Sequence, residues 1–486
     1  MSPKFYDNYK YTSKYLIEVI SFALDLNLFK SLVICFLIGC LIRIIPDLVA
    51  YPYPIGYDII NYYIPLADQL NFVFQKDPFQ FYPYLLYIFK SFIPLHSQGL
   101  ILILSSLTYG LFSISIYLLL KGLNLKLVWF MTIFILFQIP ALRTTWDLQK
   151  DIIALSFLFL IFYLILENRK VDSYKLRIIY FGLINLLVIL VILTDNMISF
   201  LLITSLSIYF LIKKDIKYII SLTIIIISII SFLVLADNTK NNLLINTLDN
   251  ILTGNIKENV NYSPLNLGIL FIMINILSFP FFIYGLKNLC QLLLYIPLII
   301  ALLGSFTWII LPQSTILLPD RWIIISGIFM SIFSSYGLVK LFSKYVDKPN
   351  LKILLPILSF YIIIGLFYMV LPYGNAFSMY GIFAEYTHFF VPSTMQFNSV
   401  DIVDNRDLSI VIDWLNKHTN STSIIYGDPY LRGWMKMLLK DERVFQYNSI
   451  ASSRNGIHII LEDEFDSIKE PIKLLFSQGI FRIIEK

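Results

Sequence analysis

Asp58 lies in the turn Tyr51-Pro-Tyr-Pro-Ile-Gly-Tyr-Asp58, directly after a hydrophobic stretch. A single carboxylate in an aqueous turn at a membrane surface can take a proton from a hydroxyl or hold a metal ion. It can also simply cap the helix that follows. Behind it Ile60, Tyr63, Ile64, Ala67, Leu70 and Phe74 recur at helical spacing, with Asp68 and Gln69 between them. That pattern predicts an amphipathic helix lying on the bilayer surface.

A second group is Arg143-Thr-Thr-Trp146-Asp147-Leu-Gln-Lys150-Asp151. Asp147 and Asp151 are four apart and share a helix face, with Arg143, Trp146 and Lys150 beside them. Arginine and lysine suit a phosphate, and carboxylates suit a metal ion or a hydroxyl, so the cluster fits a phosphate-bearing lipid. The plain alternative is a capped helix with a Trp in the interfacial aromatic belt. Asp320 and Arg321 open a later span, where Arg321 could bind a phosphate or sugar carboxylate, or pair with Asp320. Thr194-Asp195-Asn196 reads as a tight turn with a helix cap, and Arg43 lies late in the first span, within snorkelling reach of headgroups.

The elements that position these residues follow from composition. The chain has 486 residues, 58% hydrophobic and 14% charged, with a mean hydropathy of +0.75. No soluble domain is built that way, so a polytopic α-helical membrane protein is expected. With about 20 apolar residues per crossing, about eleven transmembrane helices are expected. They fall near 29–48, 100–120, 124–141, 152–167, 178–194, 197–212, 217–236, 265–286, 289–310, 322–340 and 352–371. Residues 1–28 are polar, have no small-residue cleavage site and read as a cytoplasmic segment.

Basic residues crowd the N-terminal segment and alternate loops, among them Lys121, Lys126, Arg169, Lys170, Lys213 and Lys214. The positive-inside rule therefore places the N-terminus in the cytoplasm. The loop 49–99 and the tail 372–486 then lie outside a multi-pass protein of the plasma membrane. Asp58, Asp147, Asp151, Asp195 and Asp320 fall on that external side. The net charge of +5 is accounted for by topology, and no basic stripe suggests nucleic acid.

Cys35, Cys40 and Cys290 all lie in hydrophobic segments, so neither a disulfide framework nor zinc spacing is present. His96, His388, His418 and His458 are scattered, and no phosphate-cradling glycine loop, GxSxG or fixed-period repeat occurs. The tail alternates. A helix through Leu408, Val411, Ile412 and Leu415 precedes a strand over 423–426, a helix over 431–439 and strands over 444–447 and 457–461. A helix over 466–477 and a strand over 480–484 follow. This predicts a small α/β sheet serving acceptor binding, lid packing or support. Asn261 and Asn420 head glycosylation sequons.

The motifs PYPIGYD, RTTWDLQKD and LLPDRW, with the tail VIDWLNKHTNSTSIIYGDPYLRGW, resemble a set of archaeal membrane proteins of the GT-C glycosyltransferase superfamily. More distant similarity extends to oligosaccharyltransferases and dolichyl-phosphate-mannose protein mannosyltransferases. The resemblance covers nearly the whole chain in layout, through short motifs. It implies transfer of a sugar from a polyprenyl-phosphate donor to a lipid, glycan or protein acceptor, by an inverting route. It implies Asp58 as base or metal ligand, and Arg143, Trp146, Asp147, Lys150, Asp151, Asp320 and Arg321 on the donor phosphate and sugar. A divalent cation, Mg²⁺ or Mn²⁺, would sit on Asp58, Asp147 and Asp151 if the site is oligosaccharyltransferase-like. The chain departs from that pattern in having no DxD, no adjacent Asp-Glu in the first loop and no WWDYG in the tail. These departures leave metal use open and argue against an Asn-glycosylating oligosaccharyltransferase.

Two rival classes remain at this level. A transporter or lipid flippase would place ionisable residues and broken helices near the bilayer midplane. A non-catalytic scaffold would keep the GT-C-like layout without its chemistry. The enzyme reading requires Asp58, Asp147 and Asp151 to converge.

Overall fold

The computed structural model describes residues 26–53, 58–64, 81–93, 95, 97–146, 148–224, 264–310, 319–343, 351–370, 404–420, 423–427, 431–439, 444–447, 456–462, 465 and 473–485. Its larger part is an apolar helical bundle. In chain order the helices are α1 Leu26–Ala50, α2 Phe81–Phe92, α3 Ser97–Gly122, α4 Val128–Leu136, α5 Ile139–Trp146 and α6 Gln149–Asn168. They continue as α7 Tyr174–Thr194, α8 Asn196–Lys213, α9 Pro264–Asn275, α10 Phe279–Asn288, α11 Leu292–Ile310, α12 Pro319–Ser343 and α13 Leu351–Val370.

Six of these are long and apolar enough to cross a membrane, or up to eight if each of two bent pairs counts as one span. The expectation of about eleven straight spans is therefore met only in part. The stretches 124–141 and 265–286 are bent, by 61° between α4 and α5 and by 80° between α9 and α10. Most of 217–236 lies outside the described residues.

The bends have an identifiable cause. Pro140 and Pro280 each stand at the second position of the new helix, where a proline starts a helix but cannot continue the preceding one. The backbone carbonyls freed at the breaks are satisfied inside the bundle. Tyr109 donates its hydroxyl to Leu136 O at 2.7 Å and Tyr361 to Leu277 O at 2.6 Å. The breaks also face each other, since Ser278 Oγ donates to Gln138 Oε1 at 3.0 Å. In hydrocarbon such backbone groups have no water to turn to, so these partners are what make the bends tolerable.

Helix α12 is the hub, with 94% of its apolar window buried, whereas α7 has only 17% buried and turns Ile178, Ile179 and Leu186 outward. Gly285 on α10 and Gly337 on α12 bring those helices into backbone contact; a β-carbon on either would overlap the opposite helix, at the Phe333 or Phe281 carbonyl. Small residues at a crossing are the usual means of close packing in a membrane.

The tail folds around α14 Asn405–His418 and α15 Arg432–Leu438, with strands β1 Ile424–Gly427, β2 Val444–Tyr447, β3 Ile457–Leu461, β4 Lys473–Gln478 and β5 Phe481–Glu485. The sheet order is β2-β1-β3-β5-β4. Strands β2, β1 and β3 run parallel, and β4 and β5 form an antiparallel hairpin on β3. The helix expected over 466–477 is corrected here: 473–478 is a strand, and 466–472 lie outside the described residues. Gly479, at φ +53°, lets the chain reverse, and a full ladder along β5 outcompetes a short isolated helix. Leu408, Val411, Ile412 and Leu415 of α14 form one buried stripe against Trp434, Ile459 and Ile483.

Candidate functional site: a carboxylate cluster on Arg321

Asp58 precedes a single π-helical turn, Ile59–Tyr63, and makes no side-chain cap bond. The capping alternative therefore fails in its simplest form. Instead Asp58 Oδ2 lies 3.6 Å from Arg321 Nη2, and the two side chains are 26% and 29% exposed. The surface helix expected behind Asp58 is also corrected for its described part. Ile60 is buried in the core of the tail domain, while Ile59, Tyr63 and Ile64 pack with Tyr82 and Leu86 of α2 and with Ile153 of α6. Burying these apolar side chains between two cores is more favourable than laying them on an interface. Residues 65–80, including Ala67, Asp68, Gln69, Leu70 and Phe74, lie outside the described residues.

Arg321, in the first turn of α12, is acted on by Asp151, Asp58, Asp320 and Asp195, with Asp151 the strongest. Asp151 is buried in the first turn of α6, where the charges of Asp195 and Lys150 act on it. Asp195 is also the N-cap of α8, its Oδ1 accepting from Ile198 N at 2.8 Å. The cluster thus gathers the starts of α6, α8 and α12, where the helix dipoles favour negative charge. Four acids from four separate stretches of chain act on one guanidinium, Asp58 in ion contact with it.

The start of α6 is held by a small polar brace. Thr108 Oγ1 donates to Gln149 Oε1 at 3.1 Å, and Gln149 Nε2 donates to Thr145 O at 2.5 Å. Tyr63 packs edge-on against Tyr82, with ring centroids 4.8 Å apart. Burial pushes the Tyr63 hydroxyl well above its ordinary range, and the charge of Asp58 adds to the effect. Tyr63 is therefore a neutral phenol at physiological pH and no candidate base.

Of the residues singled out from sequence, Asp58 and Arg321 are in ion contact, the charges of Asp151 and Asp320 also act on Arg321, and that of Lys150 acts on Asp151. Arg143 is buried on α5, at 3% exposure, and so is not a surface-exposed phosphate ligand. Asp147 and the Trp146 side chain lie outside the described residues. From sequence Asp195 reads as a helix cap and as one of the acids on the predicted external side. Its second role had one legible signal: it opens a helix on the side of the protein that carries the other acids.

Asp147, one of the three carboxylates expected to hold a divalent ion, lies outside the described residues. Among the described residues no three His, Cys, Asp or Glu groups converge closely enough to hold one. Asp58 is engaged by a guanidinium and Asp151 by Asp195.

Arg43 does not snorkel. It is 1% exposed and lies 2.7 Å, Nη1 to Oδ2, from Asp47 one turn later on α1. This pair borders a cavity of about 290 Å³ that reaches Ile59, the residue after Asp58. No protein-family model matches the chain, and no curated protein matches it.

Proposed function

We propose that this membrane protein is a GT-C-like glycosyltransferase that moves a sugar from a polyprenyl-phosphate donor to a hydroxyl acceptor on the external face. The observation that carries the reading is the convergence of Asp58, Asp151, Asp195 and Asp320 on Arg321. A polyprenyl-phosphate sugar already has a good leaving group. The protein has then to hold the phosphate and accept one proton.

In this reading the acceptor oxygen attacks the anomeric carbon from the face opposite the phosphate. The new C–O bond forms as the bond to the phosphate oxygen breaks, and the acceptor proton passes to Asp58. Arg321 and Lys150 offset the charge that develops on the departing polyprenyl phosphate. The buried Asp151–Asp195 pair holds Arg321 in place from behind. A base at hydrogen-bond reach typically contributes about 10²–10⁴-fold. The tail domain, seated on Ile60, would cover the site.

A second reading rests on a specific observation. The two bent helix pairs face each other through Gln138 and Ser278, and facing breaks are a feature of transporters. The test is to reconstitute the purified protein in vesicles with a radiolabelled polyprenyl-phosphate hexose and scan hydroxyl acceptors. Glycosyl transfer is expected, undiminished by EDTA because Arg321 carries the charge. Movement of the lipid between leaflets without transfer would favour the transporter reading and sink this one.

A further inference from the structure

The cavity beside Arg43 and Asp47 is not used by the chemistry proposed above, and it holds the least satisfied polar group among the described residues. Arg43 is almost wholly buried, yet none of its Nε, Nη1 and Nη2 has a hydrogen-bond partner, and neither does Asp47 Oδ2. The two are in ion contact without an aligned hydrogen bond. A buried guanidinium with five N–H donors, facing only one poorly aligned carboxylate, is costly to keep unless a ligand takes the donors left over. Arg43 and Asp47 line a cavity of about 290 Å³, together with Tyr51, Tyr53, Gln98 and Ser105. That volume is at the small end of ligand sites, which run to about 300–1,000 Å³, and suits one ring-sized molecule.

We infer that this cavity is a pyranose pocket, which takes one neutral sugar ring with its hydroxyls on Arg43 and Asp47. The paired charges cancel, so a phosphate would meet the Asp47 carboxylate as soon as it reached the guanidinium. A sugar hydroxyl both donates and accepts, and neighbouring hydroxyls can serve the carboxylate and the guanidinium together. Tyr51 and Tyr53 supply aromatic rings for the C–H face of the ring. Ile59, the residue after the proposed base Asp58, lines the cavity. The assignment deepens the glycosyltransferase reading and rests on it for which sugar is relevant, but not for binding as such.

The test uses the full chain in nanodiscs and saturation-transfer NMR. The probes are methyl α-D-mannopyranoside, methyl α-D-glucopyranoside and methyl α-D-galactopyranoside, with inorganic phosphate as the anion. Saturable binding of at least one glycoside is expected, at least tenfold weaker in the double variant Arg43→Gln/Asp47→Asn. Because that variant alters a buried pair, Gly99→Phe serves as a second: Gly99 lines the cavity, and a β-carbon there meets nothing within 4 Å. It is expected to fill the pocket and abolish binding while the bundle unfolds at its usual temperature. Binding of none of the three glycosides, equal binding by folded Gly99→Phe, or displacement of the sugar by phosphate would overturn the inference. Asp58→Asn separates the two claims, since it should abolish transfer and leave glycoside binding intact. Binding without any transfer by the wild type would remove the enzyme reading and leave the pocket standing.

Discussion

Asp195 has two roles that a substitution can separate. Its Oδ1 caps α8 through Ile198 N, and its charge also acts on the buried Asp151. Asparagine caps nearly as well as aspartate, whereas alanine loses about 1 kcal/mol. Asp195→Asn is therefore expected to unfold at the wild-type temperature in detergent, and Asp195→Ala several degrees lower, with transfer reduced in both. Equal destabilisation by the two would show that the charge beside Asp151, and not the cap, carries the stability. The Asp58–Arg321 pair is about a quarter exposed on each side, so it contributes at most about 1 kcal/mol to folding. Asp58→Asn should accordingly leave the melting temperature nearly unchanged while transfer collapses. At this scale the sequence was readable for residue type, since Asp58, Asp151, Asp320 and Arg321 were all candidates. What it could not carry was the pairing: that Arg321 serves Asp58 and Asp151 depends on how helices far apart in sequence pack.

Helix α12 organises both the site and the bundle. Its first turn bears Asp320 and Arg321, and farther along Gly337 meets Gly285 of α10 in backbone contact. Gly337→Leu must separate α10 from α12, and overpacking of this kind costs about 1–3 kcal/mol. A lowered melting temperature is expected, with the spectroscopic helix content of the folded state unchanged; wild-type stability would refute the close crossing. Apolar length exposed most of the helices in the sequence, because hydrocarbon thickness fixes it. The two bends were missed because window averaging passes over Gln138-Ile-Pro140 and Ser278-Phe-Pro280, although a polar residue and then a proline mark each break. The strand over 473–478 was missed for another reason. Lys473–Gln478 has no strand-specific alternation, and its state is decided by pairing with β5 across Gly479.

For the whole molecule, the tail domain and the bundle share one short segment of chain. Ile60 is buried in the tail core, and Tyr53 packs edge-on against Trp434 with ring centroids 5.8 Å apart. Ile59 and Tyr63, on the same turn, are buried toward α2 and α6. The turn that carries Asp58 is thus clamped from both sides. Trp434→Ala removes a fully buried ring, and such losses cost about 3–5 kcal/mol. It is expected to loosen the tail, read as faster proteolysis of residues 404–485, and to lower transfer without altering any acid. Unchanged transfer would reduce the tail to a bystander.

The most direct test of the account is a double-mutant cycle on transfer from a polyprenyl-phosphate sugar. The variants are Asp58→Asn, Arg321→Gln and the two combined, compared at equal amounts of folded protein. If Asp58 and Arg321 act as one unit, each single change costs at least about a hundredfold, and the double variant is little worse than the poorer single. A wild-type rate for Asp58→Asn, or losses that simply multiply, would contradict it.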